Sequence, residues 1–319
     1  MNERECKNAF PFLHSGIFIQ FGSIEILSIV LMKAYNPKDW FKLIFNFHKS
    51  DSFRLLIPGM IGLGLFSALL CYLHLDEHIR LRNTMVMHSL LGFVISLLLV
   101  FRTNTAYDRW WEGRRLWGEL VNNSRNLMLK IVAFLPEEEK ETRKLFSILI
   151  SNYSFALKEH LRGGYKEEEL QEHPCMPLNE LRQVSHVPNR ISLQIYKEAE
   201  QLVKKGFIKE ERLLMLSDEL RSFTNIAGAC ERIKKTPIPY SYSSFIKRVI
   251  FVYVITLPLG LIADLQWASV FIVLFIFYAF AGLELIAEEI EDPFGLERND
   301  LPTDELAHTI KKNLQEIVH

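Results

Sequence analysis

Four apolar runs in two close pairs constrain this chain more than anything else in it. Residues 55–75 carry no formal charge across 21 positions, enough for a helix to cross about 30 Å of hydrocarbon. A short loop, 76–82, leads to the second run, 83–101. Much later, residues 249–263 and 265–283 form another pair, separated only by Asp264. A buried soluble helix is the alternative for any one run, but four such runs, two of them tightly paired, point to membrane hairpins. Gly59, Gly62 and Gly64 permit close helix contacts in the first run. Pro258 predicts a kink in the third. The expectation is an all-α membrane protein with four transmembrane helices in two hairpins.

The second run is the most informative. It opens apolar and turns polar abruptly at Arg102, in HSLLGFVISLLLVFRTNTAYDRWW. Phe93, Leu97 and Phe101 recur every four residues, so a helix places them on one face with Leu90 and Val94. The rise from Phe93 to Phe101 is roughly 12 Å. Asn104, Thr105 and Asp108 continue toward the same side. This reads as an apolar constriction opening into a polar vestibule. The same spacing also describes ordinary core packing, and the pattern alone leaves both readings open.

Composition removes other classes. A net charge of −1 suggests neither a nucleic-acid binder nor a polybasic membrane-surface protein. Cys6, Cys71, Cys175 and Cys230 form no CxxC pair, no zinc framework and no disulfide scaffold, and they suit a reducing interior. There is no Gly-rich phosphate loop, GxSxG elbow or HExxH helix, so no cofactor or enzyme class is indicated. A membrane-embedded enzyme or metal transporter would need several carboxylates or histidines within the spans, and only His88 lies clearly inside. A non-conducting membrane scaffold remains a third possibility.

The chain divides by composition. Residues 1–31 lack the basic start and cleavage site of a secretory signal, and Met32 is expected to be the true start. Residues 32–54 mix Trp40, Phe41, Ile44, Phe45 and Phe47 with lysines, which suits a helix lying at the membrane interface. Residues 55–101 form the first hairpin, 102–244 a polar helical region, 245–288 the second hairpin and 289–319 a tail. Within the middle, Pro136-Glu-Glu-Glu is expected to open a helix with acids in its first turn. Gly163-Gly164 and residues 173–188 interrupt it. Another helix covers 213–235, and the prolines of 236–239 break the chain before the membrane. Lys38, Lys42, Lys49 and Arg54 precede the first span, Arg102, Arg109, Arg114 and Arg115 follow the second, and Lys247 and Arg248 precede the third. The opposite loops hold Arg80 and Arg82. The positive-inside rule then puts both termini and the middle in the cytoplasm, the membrane being the inner, plasma membrane.

Three smaller constellations have bland readings. His74 and His78 are spaced i, i+4 with acids between, a possible metal pair without a third ligand, or simply a polar loop. His88, inside the second span, is an ionisable group that suggests a function, though one neutral imidazole bonded to a neighbouring carbonyl would suffice. Arg109-Trp-Trp111 with Arg114-Arg115 suits a structural role, with Trp at the interface and Arg paired to Asp108 or Glu112, over lipid-headgroup binding.

Three motifs, FRTNTAYDRWWEGRRLWGELVNNSRNL at 101–127, GACERIKKTPIPYSY at 228–242 and AEEIEDPFGLERNDLP at 287–302, resemble the bestrophin family, its bacterial branch in particular. The resemblance runs from about Met32 to the C-terminus. It implies a homopentameric channel for small inorganic ions around one central pore, self-assembled in membrane lipid, with no nucleic-acid partner. Carried over by position, the neck residues are Phe93, Leu97 and Phe101; family necks are rings of Ile and Phe, so Leu97 departs mildly. Such rings form a hydrophobic gate that works by wetting and dewetting, and Phe rings present positive edges to anions. The cytoplasmic aperture falls on Glu211 counted from Gly206 as in bacterial relatives, or near Leu214 counted back from Cys230 as in animal relatives. Asp292, Glu297 and Asp300 sit near the acidic calcium clasp of animal bestrophins, but Leu296, Arg298 and Asn299 thin the cluster and calcium gating is not expected. Glu284, Glu288, Glu289 and Glu291 are expected to make an acidic helix end and intersubunit ion pairs. The family implies chloride or other small anions; a ring of Glu211 carboxylates implies monovalent cations instead.

Overall fold

The structure is a computed structural model that describes residues 51–76, 78 and 85–318. The expected extension at 1–31 and most of the interfacial helix expected at 32–54 lie outside the described residues. Helix α1 (Asp51–Leu75) is followed by α2 (Met85–Phe134), α3 (Lys140–Leu161), a single 3-10 turn (Glu167–Glu169) and a one-turn α4 (Leu178–Leu181). Then come α5 (Val187–Lys204), α6 (Glu210–Lys235), α7 (Tyr240–Leu265), α8 (Ala268–Glu291) and α9 (Thr303–Val318). Among the described residues there is no β-strand, only a lone bridge between His173 and Met176.

Four of these helices, α1, α2, α7 and α8, are long and apolar enough to cross a membrane. The turn between α7 and α8 is tight, with Gln266 at φ 47, a backbone region that costs a non-glycine side chain strain. In their most apolar windows only 22% of α1, α2 and α8 is buried, against 50% of α7. So α7 is the inner helix of the span layer. Its Ile250, Tyr253, Val254, Leu257 and Leu261 pack against Leu63, Ile95, Leu99 and Val273. So much apolar surface left uncovered on the other three is what helices within a membrane carry.

Helix α2 is one uninterrupted element of 50 residues, about 75 Å long. The expected span at 83–101 is only its first part. The helix continues because the polar half keeps its own helical stripe: Leu116, Leu120, Leu127 and Ile131 are all buried. That stripe is one wall of a second core, shared with α3, α5, α6 and α9. Trp117, Phe146, Tyr153, Ile195, Phe223 and Ile310 lie in it. Helix α3 runs through the middle of this bundle, buried nearly all round from Leu145 onward. It buries Lys158 as well, which forms ion pairs with Glu169 and Asp304. Burial alone would raise the Asp304 carboxyl, but hydrogen bonds from Arg162 and Lys158 hold it down at about 2.

Two expected boundaries shift. Helix α3 starts at Lys140, with Pro136 to Glu139 forming the turn ahead of it, so Glu141 is the acid in its first turn. Pro fits a turn here as readily as a helix start, and Lys140 N–H already closes on Glu138. Helix α5 begins at Val187, inside the stretch read as a break, because His186 caps it and Pro188 fits the first turn. The break at 236–239 stands where expected, with α7 opening at Tyr240.

Candidate functional site

The exposed face of α2 is built by elimination. His88, Ile95, Leu99, Arg102 and Ala106 are buried at spacings of seven, four, three and four, a single stripe against α7 and α8. At about 100° per residue, the stripe of Phe93, Leu97, Phe101, Asn104 and Asp108 points roughly 160° away from it. Phe93 is 69% exposed, Leu97 47% and Phe101 56%. Asn104, Thr105 and Asp108 are exposed too. None of the six is covered by the other described residues of the protomer. Thr105 turns its hydroxyl back to donate to the Phe101 carbonyl at 2.9 Å.

The packed side of α2 is locked by polar contacts. His88 Nε2 lies 3.3 Å from the Thr256 hydroxyl on α7. A methyl on Gly92 would lie 2.8 Å from Tyr253 Oη, so only glycine permits this approach. Arg102, only 1% exposed, bonds Glu291 at 2.7 Å and faces Glu284 at 3.5 Å. Sequence reading had placed Arg102 among the charges flanking the membrane. The signal that could have found the network is the seven-residue spacing of Glu284 and Glu291. That spacing aligns them on one face of an apolar helix, where a buried cation is needed.

Three of the acids at the end of the fourth span, Glu284, Glu288 and Glu291, have cations of the same chain beside them. Glu288 pairs with Lys247 at 2.8 Å, and Glu291 also accepts the Ile238 amide at 2.6 Å. The span helices end side by side, so cations on α2 and α7 reach the acids of α8 directly. Arg109 likewise takes neither Asp108 nor Glu112. It donates to the carbonyls of Ile233, Thr236 and Glu291, the C-terminal ends of α6 and α8, where a cation is favoured. Glu112 pairs with Arg232 instead. Arg109 thus ties three helices together, through partners other than those expected.

The aperture candidates lie on α6. Its buried stripe is Leu216, Leu220, Phe223, Ala227 and Cys230. Leu214, 76% exposed, points roughly opposite that stripe, whereas Glu211 sits about 60° around from Leu214. Glu211 is exposed in the first turn of α6 beside Glu210, where carboxylates complement the helix dipole.

The acidic tail is stitched down. Trp110 Nε1 donates to the Asn299 carbonyl at 2.8 Å, and Asp292 pairs with Lys234. Asp300 is buried and accepts the Glu297 amide at 2.7 Å. Burial, against that hydrogen bond and helped by Glu297, Asp292 and Glu289, raises its carboxyl to about 7. Asp292, Glu297 and Asp300 do not bring their oxygens into one cluster. His74 and His78 do not share a helix face either: α1 ends at Leu75 and His78 turns to Asp76 at 3.8 Å.

The family model described as Bacterial/Fungal Bestrophin protein matches residues 32–316. A voltage-dependent anion channel-forming protein of Nostoc sp. is 31% identical over 284 residues, covering 88% of this chain and 92% of the relative. The protein of the same description, YneE, from Escherichia coli is 33% identical over 282 residues, covering 86% and 90%. The crystal structure of a bacterial bestrophin homolog from Klebsiella pneumoniae superimposes with a TM-score of 0.75 at 30% identity. It covers 82% of this chain and 98% of that one.

Proposed function

This chain belongs to the bacterial and fungal bestrophin family, and on that premise we propose that it forms a homopentameric channel for small monovalent ions, anions such as chloride foremost. The observation that carries the reading is the bare Phe93–Leu97–Phe101 stripe, set opposite the packed face of a spanning helix and running on into exposed Asn104, Thr105 and Asp108. Large aromatic residues left uncovered next to polar ones suit a shared water-filled axis better than lipid, where Asn104 and Asp108 would be costly. Rings of these side chains form the neck, and the polar residues line the vestibule below it. The helical bundle lies in the cytoplasm with both termini, in the inner membrane, as the cation excess beside the spans argues. The relatives' description as voltage-dependent anion channel-forming proteins supports anion passage.

Leu214 is the better aperture candidate, being 76% exposed and about 160° from the packed stripe of α6, with Glu211 about 140° from it on the other side. An apolar ring there leaves selectivity to the neck. The second reading, a cation-selective channel, is favoured by the exposure of Glu211 and Asp108. Purified protein in liposomes distinguishes these: under a potassium chloride gradient, a reversal potential near the chloride equilibrium value supports the first and near the potassium value the second. No flux above empty liposomes removes both and leaves a membrane scaffold.

A further inference from the structure

One cluster in the bundle has no part in the pore. His160 near the end of α3, His186 capping α5 and Glu231 near the end of α6 bring their ligand atoms within 4.8 Å of one another. The Nε2 atoms of His186 and His160 lie 2.6 and 3.1 Å from the same oxygen, Glu231 Oε1. The two imidazoles lie 4.3 Å apart between centroids, tilted by 31°. All three are partly exposed, and two of them, His186 and Glu231, line a cleft of about 510 Å³ together with Asn189, Ser192, Tyr196 and Thr224.

We propose that His160, His186 and Glu231 bind one divalent transition-metal ion of the zinc class, with the fourth position open to water in the cleft. Two imidazoles and a carboxylate are the donor set such ions take. With metal–ligand distances of about 2.0–2.2 Å, ligands around a tetrahedral ion stand roughly 3.3–3.6 Å apart. The observed 2.6 and 3.1 Å separations need to open by less than about 1 Å. Lys235 holds the other oxygen of Glu231 at 2.7 Å and leaves Oε1 free to turn to the ion.

The metal-free arrangement has its own logic, and it sets a cost. His186 Nδ1 accepts the Asn189 amide at 3.2 Å, so the ring proton sits on Nε2 and donates to Glu231. A metal on Nε2 moves that proton to Nδ1, where it can no longer accept the amide. Ion binding therefore competes with the cap of α5. The ion also joins three helices, one of which carries Leu214 at its far end. Any effect on flux rests on the channel reading; the site does not.

The full chain in detergent, stripped by chelator and given Co²⁺ or Zn²⁺ alone, tests this. One ion retained per chain and a Co²⁺ ligand-field spectrum of tetrahedral intensity are expected. His160→Gln and Glu231→Gln should each weaken binding at least tenfold, while His173→Gln binds as wild type. Amide exchange at Asn189 should quicken with Zn²⁺ in wild type alone. No retained ion, equal retention by His160→Gln, or a wild-type Co²⁺ spectrum of the weak octahedral kind overturns the proposal; the spectrum decides even if a variant fails to assemble. Protein that binds the ion but passes no ions in liposomes leaves the site standing and removes the channel reading.

Discussion

Replacing Arg102 with Met removes the one cation that faces both Glu284 and Glu291 in the buried seam between α2 and α8. Breaking a buried pair from one side costs about 3–5 kcal/mol, because the stranded charge keeps its desolvation penalty. The two carboxylates are not equally stranded. Glu291 keeps the Ile238 amide at 2.6 Å, but no hydrogen bond reaches either oxygen of Glu284. Most of the cost therefore falls on Glu284, and the upper half of the range is expected. At roughly 2–4 °C per kcal/mol, that is on the order of 10 °C in the unfolding midpoint of the purified protein. Adding Glu284→Gln to Arg102→Met removes the stranded charge and should restore more than half of the loss. Fluorescence-monitored thermal unfolding of the single and double variants measures both. A single variant within about 2 °C of wild type, or a double variant no better than the single, refutes the reasoning.

Three further outcomes follow from the same geometry. Gly92→Ala pushes a methyl to within 2.8 Å of Tyr253 Oη and should lower thermal stability, and Tyr253→Phe, which deletes that oxygen, should recover most of it. In reconstituted protein, Leu214→Glu should move the reversal potential toward the cation value by more than Glu211→Gln moves it the other way; the reverse order would put Glu211 on the axis. Asp300 has a folded-state pKa of about 7 against 3.8 when unfolded, so its stabilising contribution is complete below about 4 and is lost as pH rises through 7. Asp300→Asn, which mimics the neutral acid, should flatten that part of the pH–stability curve.

What could be read from the sequence was whatever repeats locally. The apolar runs declare the spans without any partner, and the spacing of Phe93, Leu97 and Phe101 declares a face. The same spacing could not say whether that face was covered, because coverage depends on α7 and α8, more than a hundred residues away. Arg102 shows this most clearly. In sequence it marks the end of an apolar run; in the fold it neutralises acids from the fourth span. The start of α3 was misplaced because proline followed by acids suits a turn as well as a first helical turn, and only packing decides. The group formed by His160, His186 and Glu231 was invisible because each member comes from a different helix.

The central claim is that the exposed stripe of α2 lines a water-filled axis. Placing a single cysteine at position 97, in a chain whose native cysteines are replaced, tests it most directly. A charged, membrane-impermeant thiol reagent should then react at that site and block ion flux in liposomes, with no block when the cysteine replaces Phe271, an exposed residue of α8 away from the stripe. If position 97 stays unmodified while flux continues undiminished, the stripe faces lipid and the pore lies elsewhere.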